Sequence, residues 1–429
     1  NTTGSNNTAV GRKALEDNTT ASNNTAVGFE SLAANTTGHE NTASGRLSLK
    51  ANTTGSDNTG FGNGALFSNT TASSNTAVGS GALNSNTTGA NNTSLGTGAL
   101  LANTTASGGT AVGYRALYAN TTGANNTSVG HAALQASTTG ANLTAVGFYA
   151  LVGNTTGADN SAFGKSALQN CTTGYNNVAV GGGGTYLAPA LTAVTTGFRN
   201  VGVGVGAGAS ITTSVNNTSI GDQSLYACTG SDNTAVGQAA GSAITTGSSN
   251  VFIGKAVGPT AVGQTNGIGI GVSIAAAAND FSFGKSGNVV TNDFDADANW
   301  SRSSDERLKK NIVNQSLGLD FINDLRTVKY NWKASNELDS TDAQLAHLYK
   351  EDAADNEMNT DVVMHNFIAQ EVKAALDTAG VSNFAGWKED QNGVQQVSRE
   401  MFVIPLVKAL QELSAKNDAL EARITALEG

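Results

Sequence analysis

The sequence predicts a mainly β chain: a trimeric parallel β-solenoid, or β-roll, with 17-residue repeats, followed by a small α/β domain that ends in a trimeric coiled coil. Three observations predict it. A pentapeptide returns every 17 residues, glycine is abundant while proline is almost absent, and the last turns of the chain carry leucine at heptad spacing.

The repeat comes first along the chain. Asn7-Thr8-Ala9-Val10-Gly11 recurs from Asn24, Asn41, Asn58, Asn75 and Asn92, then in variant form from Gly109, Asn126, Leu143, Asn160 and Asn177. After one interruption it resumes at Asn200, Asn217, Asn233, Asn250 and Asn266, with a last echo at Asp280–Gly284. A fixed short period means one supersecondary unit per repeat, stacked because a single unit cannot bury its own apolar face. Val10, Val27 and Val78 fall in one column and Leu15, Leu32, Leu49, Leu66 and Leu83 in another, a spacing that predicts two short strands per coil. Gly11, Gly28, Gly45, Gly62, Gly79 and Gly96 follow the first strand, where the chain must turn with positive φ or pack backbone on backbone. Asn tolerates the left-handed region and bonds its own backbone, so Asn18, Asn35, Asn52, Asn69, Asn86, Asn103 and Asn120 are expected to stack as a polar ladder.

At about 4.8 Å per rung, such a stack makes a shaft on the order of 80 Å long. One coil of this size encloses little apolar volume, so three chains packed about an axis complete it. The shaft is assigned residues 1–290. It resembles the head repeats of trimeric autotransporter adhesins, whose Asn-Ser-Val-Ala-Ile-Gly motif is similar to Asn-Thr-Ala-Val-Gly, although the period here is longer by a few residues. The chain begins inside a repeat, which leads us to expect an attachment region upstream of Asn1.

Two features interrupt the pattern. Cys171 and Cys228 both occupy the Asn-ladder column three rungs apart, so within a chain their Cα atoms would lie roughly 14 Å from one another, too far for a disulfide. They read as buried free thiols standing in for Asn, with pairing across chains as the alternative. Residues 182–199 add six residues to one coil, and an insertion in a solenoid must protrude. Its Tyr186, Leu187 and Pro189 form a candidate contact loop, or else a harmless bulge.

Composition sets limits on function. Residues 1–303 hold 10 Lys+Arg against 12 Asp+Glu, and the remaining residues 13 against 21, so neither part carries the basic stripe that nucleic acid requires. No apolar run approaches the roughly 20 residues of a membrane span, so no membrane insertion is expected. His39, His131, His347 and His365 are scattered without metal spacing, and the alternating Asp293, Asp295 and Asp297 lack the Gly and Glu of a calcium loop. No metal and no cofactor are therefore expected. Asp159, Asp222 and Asp232 stand alone, with no paired carboxylates for glycan cleavage.

Glycine density collapses near Asp293, and residues 291–303 read as a linker. Then follow Ser303-Ser304-Asp305-Glu306-Arg307-Leu308-Lys309-Lys310-Asn311-Ile312, Val328-Lys329-Tyr330-Asn331-Trp332, Phe367-Ile368-Ala369-Gln370-Glu371-Val372 and a helix from Pro405. In this order they resemble the intramolecular chaperone domain of endosialidases and related phage tail proteins, the peptidase S74 family. The resemblance covers residues 304–429, and it departs at His365-Asn366, where relatives commonly carry a Gly. It implies a chaperone and auto-protease domain over 304–400, a C-terminal coiled-coil helix over 401–429, and release by cleavage between Ser303 and Ser304. Ser304 would be the nucleophile and Lys309 its general base, a self-cleaving Ser-Lys endopeptidase acting once and in cis. A Ser hydroxyl needs an adjacent base, and a Lys serves as one when burial or a cationic neighbour favours its neutral form; Arg307 and Lys310 flank Lys309.

The chain end points to trimerisation on its own. Leu406, Leu410, Leu413, Asn417, Leu420, Ile424 and Leu427 alternate spacings of four and three, an a/d seam with one polar Asn417 of the kind that fixes register. Near-identical rungs can slip by one repeat with every column still matched, so a terminal clamp has a defined task. Together these readings predict the distal part of a bacteriophage tail fibre or spike, located in the virion and assembled as a precursor in the host cytoplasm. Its partners would be two further copies, a host cell-surface receptor and upstream fibre or baseplate components. The alternatives are a bacterial cell-surface trimeric adhesin and an ice-binding β-solenoid, the latter disfavoured because Ser, Gly and Leu interrupt the Thr columns.

Overall fold

The computed structural model describes residues 1–184, 187–293, 300–302, 306–352, 360–361, 363–390 and 392–428. Contacts divide the chain into two units, Asn1–Ser303 and Ser304–Gly429.

The first unit is a β-solenoid of about 16 turns. Each turn contributes a three-residue strand such as Thr8–Val10, Thr25–Val27 or Thr42–Ser44, parallel to the next, with Thr8 against Thr25, Ala9 against Ala26 and Val10 against Val27. The sheet has 19 strands and turns antiparallel only at its end, in Asn288–Asp293 and Trp300–Arg302. Part of the stretch read as a linker is therefore strand. The register shifts late in the repeat: Gly267, one residue after Asn266, takes the position of Asn250, because Ile268 pairs with Val251.

Most coils have one strand where two were expected, and a second parallel pair, Gly258–Pro259 with Ala275–Ala276, forms only in the last coils. The leucine column explains the difference, since Leu15, Leu32 and Leu49 sit at φ of 53°, 49° and 50° within consecutive turns. A left-handed L-residue costs about 1–2 kcal/mol. Burying a leucine side chain contributes about 1.5–3 kcal/mol, and Leu32, Leu49 and Leu66 are fully buried. The same turn aims the Leu32 N–H at the Ser48 carbonyl of the next coil, 3.0 Å away. A turn replaces a strand without losing its ladder bond.

The rest of the coil interior is mostly Ala and Asn, with Ser31, Ser48 and, in a later coil, Phe252 also fully buried. In each Thr-Ala-Val strand the alternation of a pleated chain turns the Ala inward and the flanking residues outward, so Ala26, Ala43 and Ala77 are fully buried while Val10 and Val27 are exposed. The expected ladder from Asn18 to Asn120 is present: Asn35 Nδ2 donates to Asn18 Oδ1 at 3.1 Å, Asn52 to Asn35 at 2.9 Å and Asn69 to Asn52 at 2.9 Å. At Gly79 (φ +134°) a Cβ would lie 2.6 Å from the Gly96 carbonyl oxygen, so the coil spacing there requires glycine.

Before the insertion the chain is still in the ladder at Gly183, which donates to the Lys165 carbonyl at 3.1 Å. Gly206 donates to the Ala188 carbonyl at 2.8 Å and Ala190 to Gly181 at 3.0 Å, so the chain has rejoined the ladder by Ala188.

The second unit has a small aromatic core. Its helices are α1 (Leu319–Asn323), α2 (Ala369–Thr378) and α3 (Val403–Glu428). Two antiparallel strand pairs accompany them, Val328–Tyr330 with Met364–Asn366 and Trp387–Glu389 with Gln395–Val397. Leu317, Phe321, Val372, Leu376 and Phe402 are buried together. Phe402 makes ring contacts with Phe321, Phe367 and Phe384 at centroid distances of 6.2, 5.0 and 5.2 Å.

Candidate processing site and assembly seam

The processing segment opens with a 3-10 turn, Glu306–Leu308, closed by the Lys309 N–H on the Glu306 carbonyl at 2.9 Å. Lys309 is exposed at its end. Ser303 and Ser304 lie outside the described residues, so of the Ser304–Lys309 pair only Lys309 is placed. Leu308, Ile312 and Val313 beside it are 62% exposed or more, an apolar stretch that the unit's own core leaves uncovered.

Two of the motifs are brought side by side. Val328 pairs with Asn366 and Tyr330 with Met364, and from Phe367 the chain runs directly into α2. His365 stands opposite Lys329 in this pair, and Asn366 uses its side-chain oxygen to accept the Phe367 N–H at 2.9 Å. Arg326 donates to Glu371 through Nε at 3.1 Å and again through Nη2. This bidentate contact holds the Glu371 carboxyl below its ordinary value and raises the Arg326 guanidinium. A cleft of about 710 Å³ opens beside the strand pair, lined by Tyr330, Trp332, Leu345, Phe367 and Val397 among others.

α3 presents two different faces. Pro405 and Ala409 are buried, and Glu412 accepts the Leu319 N–H at 2.7 Å, tying α3 to the start of α1. That bond, followed by the one from Lys408, holds the Glu412 carboxyl below its ordinary value. The seam residues Leu406, Leu410, Leu413, Leu420, Ile424 and Leu427 are each more than half exposed. Asn417 on the same seam donates to Glu421 at 2.9 Å. A helix that buries one face and leaves a leucine row bare has a vacant hydrophobic surface.

Residues 304–381 match the chaperone of endosialidase family. The match implies self-cleaving chaperone activity for the C-terminal domain, and the chaperone segment behind a solenoid with 17-residue repeats fits a fibre or tailspike. No curated protein and no solved structure matches the chain significantly.

In the shaft, Cys171 and Cys228 are free and buried, with Cys171 Sγ 3.6 Å from the Gly174 carbonyl, in the place where Asn35 Nδ2 meets Gly38. Burial pushes the Cys171 thiol up to about 11. Of the contact-loop residues, Tyr186 lies outside the described residues, Leu187 is exposed and Pro189 half-buried. Among the described residues no group of His, Cys, Asp and Glu is arranged to hold a metal, and no helix is long and apolar enough to cross a membrane.

Sequence reasoning missed a second ladder. Asn24, Asn41, Asn58 and Asn75 are also buried, and Asn41 N and Nδ2 both donate to Asn24 Oδ1, at 3.0 and 3.2 Å. The signal was available, since Asn opens nearly every pentapeptide, with Gly109 and Leu143 as exceptions.

Proposed function

We propose that this chain is the distal shaft of a bacteriophage tail fibre or spike, assembled as a homotrimer in the host cytoplasm and carried in the virion for attachment to a host cell-surface receptor. Upstream fibre or baseplate components would hold its other end. The observation that carries the reading is the bare leucine seam of α3 at the end of a chain whose chaperone segment follows a solenoid. Three seams pair into a coiled coil, and the clamp sets the alignment of rungs that would otherwise slip.

Processing then removes the clamp. The Ser304 Oγ attacks the Ser303 carbonyl carbon while Lys309 takes the hydroxyl proton. The C–N bond breaks, the proton passes to the Ser304 amine, and the Ser303 acyl group is left as an ester on Oγ. Water opens that ester, giving a Ser303 carboxylate and restoring the hydroxyl. The product would then be kept aligned by its unfolding barrier.

Expression of the full chain in a bacterium should give two fragments, residues 1–303 and 304–429, identified by intact mass. Ser304→Ala and Lys309→Ala should give one uncut species that still sediments as a trimer. Normal cutting of either variant would overturn the dyad, and a monomeric uncut chain would overturn the assembly. A glycan array probed with the mature trimer tests receptor binding.

A further inference from the structure

The strand face of the shaft is unlike the rest of its surface. Pleating turns the first and third residues of every strand outward on one side. The third-residue column reads Val10, Val27, Ser44, Phe61, Val78, Leu95 and onward through Phe163 to Ile270, and the first-residue column is mostly Thr, with Val and Ile in later coils. From Thr8 to Ile270 neither column contains a charged residue, so all the Lys, Arg, Asp and Glu of these coils lie in the turns. The bare apolar area is large. Nine of its sixteen members are between 38% and 57% exposed and the other seven, Val112 and Val129 among them, are half-buried. The column still presents on the order of 1,000 Å², more than the largest patch of a typical monomer and about what each partner buries in a stable complex.

We infer that this strand face is where copies of the chain meet in the shaft, parallel and in register, with the Val10-to-Ile270 column on the common axis. The inference rests on the trimer proposed above and adds which face closes it. A second copy is the fitting occupant because its column has the same length, the same rung spacing and the same lack of charge. The column also carries marks of position. Phe61 is 57% exposed and lies between Ser44 and Val78, and Phe163 is 42% exposed between Val146 and Val180. Copies in register stack phenylalanine beside phenylalanine. A slip of one rung sets Phe61 against serine or valine, leaving a gap on one side and a crowd on the other.

Cysteine cross-linking in the full chain tests this. Val112→Cys and Val129→Cys, each alone, should give interchain disulfides on mild oxidation: covalent dimers and residual single chains, never covalent trimers, because three thiols at an axis form one bond. Thr122→Cys in an exposed turn should give none, nor should the wild-type chain, whose two thiols are buried. A trimer by sedimentation whose Val112→Cys and Val129→Cys variants stay uncross-linked overturns the assigned face and leaves the trimer standing. A monomer by sedimentation overturns the trimer itself. Co-expression of a tagged Val112→Cys chain with an untagged Val129→Cys chain reads the register. The mixed disulfide should be rare in the parent and increase severalfold when Phe61→Val and Phe163→Val are added; an abundant mixed product in the parent overturns the in-register arrangement.

Discussion

The shaft and the chaperone domain bury their interiors by different means. The shaft has mainly Ala, Leu and two columns of Asn, and most coils repeat the same bonds to their neighbours, so its stability is close to a sum of nearest-neighbour terms. The chaperone domain concentrates its interior in a few aromatic side chains around Phe402. Damage should therefore spread through the second unit and stay local in the first.

Phe402→Ala gives the sharpest test. Removing the ring at the centre of the aromatic cluster should cost about 3–5 kcal/mol, enough to melt the domain while the shaft transition stays in place. Calorimetry of the full chain would show it, and a shared shift of both transitions would break the comparison. Gly79→Ala should cost about 3 kcal/mol, from a positive-φ alanine and a Cβ pressed on Gly96. Hydrogen exchange should then show faster opening of the few neighbouring coils only.

A smaller effect has the opposite sign. The Asn18 column is interrupted at Ser137, whose Oγ has no partner, and Asn120 Oδ1 above it has none either. Serine is too short to reach the preceding carbonyl oxygen, and Asn154 Oδ1 is orphaned in the same way because Cys171 follows it. Ser137→Asn should restore the missing donor and stabilise the shaft by about 1 kcal/mol, read as a higher unfolding temperature.

The smallest effect is acid sensitivity. Glu371 and Glu412 have folded-state values depressed by their partners, so the stability they contribute is present above the ordinary carboxylate range and is lost as pH falls through the depressed values. Both are partly exposed, so the loss is modest. Melting of the chaperone domain, where Thr341 holds Asp339 low as well, should shift down slightly between about pH 5 and 3, and the shaft, where Lys50 depresses Glu30, should move less.

The parts legible in the sequence were those written as repetition or spacing. The 17-residue period gave the coil, the Asn18 column gave a ladder that the structure contains, and the α3 seam was marked by alternating threes and fours. Less was legible where one residue serves two masters. Leucine at regular spacing reads as strand, yet Leu32 is left-handed, because burial and a ladder bond outweigh a conformational cost that no pattern displays. The dyad residue Ser304 was suggested by resemblance alone, with no periodicity or spacing to support it independently.

Sequence by itself determined the number of coils, the glycine at each crowded turn and the residues able to line a seam, since each follows from period and side-chain size. Tertiary structure decided which way the residues point. It turned Ala inward and Val outward, made the first Asn of the pentapeptide a second interior ladder, and left the strand face uncharged and bare. Those outcomes depend on closure of the coil: which side of a strand is inside is settled only when the chain returns beneath itself and meets the hydrogen bonds of the next rung.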